Sequence, residues 1–173
     1  MVDWQAIVRA HGAMAFDTAW RLLGDATDTE DAVQEAFLEA FRLHGRQQVR
    51  NWGGLLRLLA ARRAIDRLRQ RRKFPTLPLE ALTSEPAAPA SEQPESVAVQ
   101  HELAERLRSA IAKLPDREAS VFSLHYLGEM SNCEIAETLG ISTDAVGMAL
   151  HKARNRLKEL LDLQKVMARR SKS

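Results

Sequence analysis

Five of the chain's six prolines, Pro75, Pro78, Pro86, Pro89 and Pro94, crowd into the stretch from Phe74 to Glu95. Proline lacks the amide donor that helices and sheets need and clashes with the turn before it, so neither a helix interior nor a central strand fits there. The residues between the prolines are mostly Ala, Ser, Thr and Glu, too polar to bury a core of their own. Two folded units are therefore expected, residues 1–73 and 99–173, joined by an extended linker over residues 74–98.

Aromatic residues make up only 5% of the sequence and Ala, Leu, Glu and Arg dominate it, which favours helices over sheets. The expected fold class is all-α: two small helical domains joined by a Pro-rich linker, with a helix-turn-helix in the C-terminal domain. The lone Cys133 excludes an internal disulfide and a cysteine zinc cluster, and favours the reducing cytoplasm. No apolar run approaches the ~20 residues of a membrane span, so none is expected. A Gly-rich phosphate loop is missing, and the five histidines have no partners at catalytic spacing, so an enzyme, a metal site and a cofactor are not expected.

The second unit carries the clearest pattern. Ile135, Ala136, Leu139 and Ile141, then Val146, Leu150, Ala153 and Leu157, give two helical stripes broken at Gly140-Ile141-Ser142. Ala136 is small where two axes approach, Gly140 tolerates the left-handed turn that ends the first helix, and Val146 packs back into the crossing. Ser142 is the expected cap of the second helix. This is a helix-turn-helix pattern: an ordinary helical hairpin fits any one of these features, but the joint spacing of Ala136, Gly140 and Val146 favours a DNA-binding motif, whose second helix is expected in the major groove. Upstream, Leu103, Leu107, Ala110, Ile111 and Leu114 mark a helix stopped by Pro115; Val121, Phe122, Leu124 and Leu127 mark another, ended by Gly128.

In the first unit Ile7, Val8, Met14, Ala15, Trp20, Leu22 and Leu23 suit one helix, or two separated near Gly12, stopped by Gly24. Ala32, Val33, Ala36, Phe37, Ala40 and Phe41 define the next, with Thr27, Asp28 or Thr29 as its cap. Read without a family, Asp28, Glu30 and Asp31 compensate the helix dipole. After a polar loop from His44 to Asn51, a third helix runs from about Trp52 to Arg72. Its Arg57, Arg62, Arg63, Arg67, Arg69, Arg71, Arg72 and Lys73 oppose one acid, Asp66, a density that reads as a nucleic-acid footprint although the formal net charge is only +2.

This order of motifs resembles the bacterial extracytoplasmic-function (ECF) sigma factors over nearly the whole chain. Asp28-Thr29-Glu30-Asp31-Ala32-Val33-Gln34-Glu35-Ala36-Phe37 is similar to the family's acidic helix. The resemblance implies that Asp28, Glu30, Asp31, Gln34 and Phe37 bind the clamp helices of core RNA polymerase. Asn51-Trp52 through Ala60, and Ala64-Ile65-Asp66-Arg67-Leu68-Arg69, resemble its promoter-melting and −10 segments. Arg46, Gln48, Arg50, Asn51, Trp52, Arg62, Arg63 and Arg67 are the expected −10 contacts, with Trp52 read equally as a core residue. Leu114-Pro115-Asp116-Arg117, Glu134-Ile135-Ala136, Leu139-Gly140-Ile141 and Ala153-Arg154 resemble its −35 domain. There Arg117, Ser142, Thr143, Asp144, Met148, His151, Lys152 and Arg154 are the expected contacts, with His151 equally a plain surface histidine; Arg156 is a further candidate.

Two places depart from the family pattern: Arg62 stands where Asn is common, and Gly147-Met148-Ala149 stands where Lys or Arg and Ser follow Val146. The latter three cannot make bidentate contacts to guanine, so −35 reading is expected to be either weak or set by groove geometry rather than base edges. The resemblance implies partnership with core RNA polymerase and promoter DNA, and sequestration by an anti-sigma factor. A regulator that binds duplex DNA and never engages polymerase is the alternative, and it has no use for the acidic helix.

Overall fold

A computed structural model describes residues 2–46, 48–74 and 94–171, the side chains of 94–96 and 164–171 excepted. The described residues form seven α-helices and no strand. None of these helices is long and apolar enough to cross a membrane.

Three helices build the first module. Helix α1 (Trp4–Leu23) is continuous through Gly12, its start capped by the Asp3 carboxylate and its end set by Gly24 in the left-handed region at φ 62°. Helix α2 (Ala26–His44) takes Asp25 as its N-cap rather than Thr27, Asp28 or Thr29. The reason is local: the Thr29 hydroxyl bonds back to the Asp25 carbonyl at 2.6 Å, and the Asp28 side chain is drawn away by arginines of the next helix. Helix α3 (Trp52–Lys73) begins where the Asn51 side chain accepts the Gly54 amide at 2.8 Å, and it packs on both α1 and α2. Alanines one turn apart, Ala15 and Ala19, Ala32, Ala36 and Ala40, Ala60 and Ala64, are fully buried. Their small side chains bring the helix axes close and leave Leu22, Leu23, Leu56 and Leu59 to fill the core.

The second module contains α4 (Pro94–Ile111), α5 (Asp116–Tyr126), α6 (Asn132–Leu139) and α7 (Thr143–Ser171). Helix α4 starts at Pro94, so the segment read as linker over 74–98 ends several residues early; proline at a helix's first position lacks only an amide that has no partner anyway. The rest of that proline-rich stretch, 75–93, lies outside the described residues. Helix α7 carries Val146, Ala149, Leu150, Ala153 and Leu157 on its buried stripe and rests on α4, α5 and α6.

The modules touch. Helix α3 lies against α4, α5 and α6, and α1 against α5. Arg69 donates to the carbonyls of Ala112 (3.2 Å) and Leu114 (2.8 Å) and to the Asp116 carboxylate. Arg21 donates to the Leu127 carbonyl (2.9 Å) and to Glu129 (2.6 Å), the one non-glycine with positive φ among the described residues, at 55°. Where α6 approaches α3, a β-carbon on Gly54 would collide with the Thr138 hydroxyl, so the close approach requires glycine.

Candidate nucleic-acid interface

The helix-turn-helix is built as its spacing implies. Helix α6 opens with a capping box: the Ser131 hydroxyl accepts the Glu134 amide at 3.2 Å, and the Glu134 carboxylate accepts the Ser131 amide at 2.8 Å. The Ser131 amide foremost, and the Ser131 hydroxyl donating to the same carboxylate oxygen at 2.8 Å, hold the Glu134 carboxyl below its ordinary pKa. Gly140, at φ 64°, ends α6 in the left-handed region, and the Ile141 amide returns to the Ala136 carbonyl at 3.0 Å. The Ser142 hydroxyl then accepts the Ala145 amide at 3.1 Å and starts α7.

This turn orients the outer face of α7. Thr143, Asp144, Met148, His151 and Lys152 are exposed along its first turns, Met148 at 61%. His151 Nε2 lies 3.1 Å from the Asn155 amide nitrogen. Arg154 is exposed but sits over the Tyr126 ring, 5.7 Å from its centroid, which holds it toward α5. Arg156 pairs with Glu118 at 2.9 Å and so braces α7 against α5. Ser142 serves the backbone as a cap. Arg117, at the first turn of α5, is exposed on the rim of a cleft between the modules, opposite Arg62, Asp66 and Arg69.

In the first module Arg46, Gln48, Arg50 and Asn51 are exposed in the α2–α3 loop. Trp52, the next residue, is half-buried, its ring centroid 5.1 Å from Trp4 and 5.6 Å from His44. Trp4 in turn meets Phe41 at 5.1 Å. The sequence leaves Trp52 between core and stacking; the structure sets it in an aromatic cluster from three helices, at the point where the polar loop enters α3.

The basic face of α3 is not uniform. Arg62 is exposed, whereas Arg63, Arg67 and Arg71 turn toward α2. Arg63 donates to Glu39 at 2.7 Å, and this bond raises the guanidinium pKa above its ordinary value, so the group stays charged although partly desolvated. Arg67 bonds Glu35 at 2.7 Å and lies 3.4 Å from Asp28 and 3.6 Å from Asp31. Arg71 bonds Asp28 through two nitrogens. Of the expected polymerase contacts, Glu30, Asp31 and Gln34 are exposed, Asp28 is half-buried in these ion pairs, and Phe37 packs against the core. Sequence reasoning missed Leu38 and Phe41, 56% and 58% exposed on the same outward face as Asp31 and Gln34. Large exposed apolar side chains at i+7 and i+10 from Asp31 were the available signal.

Comparison with known proteins matches residues 7–74 to Sigma-70 region 2 and residues 104–157 to Sigma-70, region 4. The chain is 31% identical over 165 residues to the ECF RNA polymerase sigma factor SigW of Bacillus subtilis, covering 91% of this chain and 88% of that relative. It is 30% identical over 177 residues to the RNA polymerase sigma-E factor of Streptomyces avermitilis, covering 98% and 90%. With SigE of Mycolicibacterium smegmatis, another ECF sigma factor, it shares 28% identity over 163 residues, 93% of this chain and 62% of the relative.

Proposed function

Because the chain belongs to the family of ECF RNA polymerase sigma factors, we propose that its modules divide the work of promoter recognition at the residues described above. The protein itself is a non-enzymatic initiation factor: it binds core RNA polymerase and directs it to specific promoters. In the first module, residues 1–73, the exposed face of α2 docks on polymerase through Glu30, Asp31 and Gln34, with Leu38 and Phe41 as its apolar end. The loop with Arg46, Gln48, Arg50 and Asn51, next to the Trp52 cluster, receives bases leaving the stack at the −10 element, and Arg62 contacts the backbone.

Melting costs on the order of 1.4 kcal/mol per base-pair step, so a base caught against that loop offsets part of the opening cost. In the second module the outer face of α7, Thr143, Asp144, Met148, His151 and Lys152, enters the major groove at the −35 element, with Arg117 on the flanking phosphate. The work is placed in the cytoplasm, where bacterial polymerase and DNA meet.

The observation that carries this reading is the order of the two matches along one chain, region 2 before region 4, together with an exposed acidic face on α2. A DNA-binding regulator that ignores polymerase has no use for the region 2 match. The test is co-purification with core RNA polymerase of the wild type and of Asp31→Ala with Gln34→Ala, followed by run-off transcription from a fragment library. Both side chains are exposed, so the substitutions spare the core. Binding and discrete start sites are expected for the wild type and their loss for the double variant. A wild type that ignores core polymerase yet retards duplex DNA refutes the reading.

A further inference from the structure

Arg63, Arg67 and Arg71 stand four residues apart on α3, one above the next on a single helix face. Facing them on the antiparallel α2 are Asp25, Asp28, Asp31, Glu35 and Glu39, at intervals of three or four residues. The pairings interlock: Arg71 reaches Asp25 and Asp28, Arg67 reaches Asp28, Asp31 and Glu35, and Arg63 reaches Glu35 and Glu39. Arg67 is central, with one guanidinium between three carboxylates and a side chain only 20% exposed.

A phosphate approaching Arg67 from solvent would meet those carboxylates first. The planar fork of arginine suits several carboxylates at once, and a lysine point charge does not. Without Arg67, Asp31 would lose its ion pair while Asp28 and Glu35 kept only Arg71 and Arg63 at the two ends, and the helix face that carries Asp31 and Gln34 would shift to relieve the uncompensated charge between them.

From this arrangement we infer that Arg67 is a positioning residue for polymerase docking and not a promoter contact: it fixes the spacing of the α2 acids, and Arg63 and Arg71 extend the same ladder at its two ends. The basic stripe of α3 thereby splits by role, with Arg62 left for DNA and the ladder arginines serving α2. The inference rests on the docking role of α2 given above and names the residue on another helix that sustains it.

The test uses the full chain with purified core RNA polymerase and a bubble-containing DNA fragment, comparing wild type, Arg67→Gln and Arg67→Lys. Core affinity is expected to fall roughly tenfold in Arg67→Gln, with Arg67→Lys in between, because lysine restores the charge without the fork. The salt dependence of holoenzyme binding to the DNA is expected to keep its wild-type slope. A phosphate contact at Arg67 would instead lower that slope by about 0.7–0.9 and leave core affinity unchanged, and this result overturns the inference. Should Arg67→Gln fail to fold, Arg67→Lys decides alone: wild-type core affinity overturns the inference, and a severalfold loss at unchanged slope supports it. A wild type that does not bind core would refute the docking role itself, a different outcome from a variant that binds as well as a competent wild type.

Discussion

Arg69 binds Asp116 across the boundary between the modules, and the same guanidinium caps the carbonyls of Ala112 and Leu114 on the way. The Asp116 side chain is 88% exposed, so the ion pair itself contributes little. The two part-buried carbonyl bonds to a charged donor matter more, about 1.5–3 kcal/mol each.

On the division of labour proposed above, the modules must part to reach both promoter elements, which at about 25 base pairs lie roughly 85 Å apart on B-form DNA. The chain from Phe74 to Pro94 reaches about 65–70 Å when extended, enough to let the modules part by a large share of that span. Arg69→Ala removes all three contacts at once. An increase in the radius of gyration by small-angle X-ray scattering, with each module still helical, is the expected outcome; an unchanged radius would show that the α3–α6 approach at Gly54 holds the modules without Arg69.

The α6 capping box predicts a pH dependence with a definite sign. Glu134 has its folded-state pKa lowered below the ordinary 4.5 by hydrogen bonds from Ser131, so the folded state favours its charged form. The stability it contributes is complete above 4.5 and is lost as pH falls through the lower folded value. Glu134→Gln is expected to melt below the wild type near neutrality, with the gap closing in acid well below 4.5. A gap independent of pH would mean that the carboxylate charge contributes nothing to the cap.

The helix-turn-helix was legible because its information is local. Gly140, Ser142 and the stripe from Val146 to Leu157 act within a turn or two of themselves, and the backbone follows them. The linker's end was less so, since Pro94 serves a helix start as readily as an extended segment. What the sequence could not disclose is pairing over distance. Arg67 and Glu35 are 32 residues apart, Arg69 and Asp116 are 47 apart, and nothing in the composition of α3 separates an arginine that meets an acid from one that meets water. A dense basic stripe therefore read as one DNA footprint, whereas tertiary packing divides it among α2, the second module and solvent.

Gly147 lies inside α7, and apart from its chain neighbours and the helix's own backbone no atom comes within 4 Å of where a β-carbon would stand. Its only structural effect is thus the entropy it costs the helix, about 0.5–1 kcal/mol relative to alanine. Gly147→Ala is expected to raise the melting temperature by about 1–4 °C in a chain of this size. A lower melting temperature would reveal a clash that the structure does not contain.

On the outer face of α7, Lys152 and Met148 are expected to separate affinity from base choice. Both are exposed and neither packs on the second module's core, so replacing either with alanine spares the fold. A lysine on phosphate acts as a point charge: Lys152→Ala should weaken all duplexes alike and lower the salt slope by about 0.9. Met148 carries no charge, and the base feature it can prefer in the major groove is the thymine methyl, an apolar contact. Met148→Ala should therefore keep the salt slope and lose preference between thymine and cytosine within the −35 element. The measurement is a salt titration of each variant on two duplexes that differ at a single such position. If Met148→Ala changes the slope, or Lys152→Ala changes the base preference, the helix sits in the groove at an orientation other than the one its exposed face indicates.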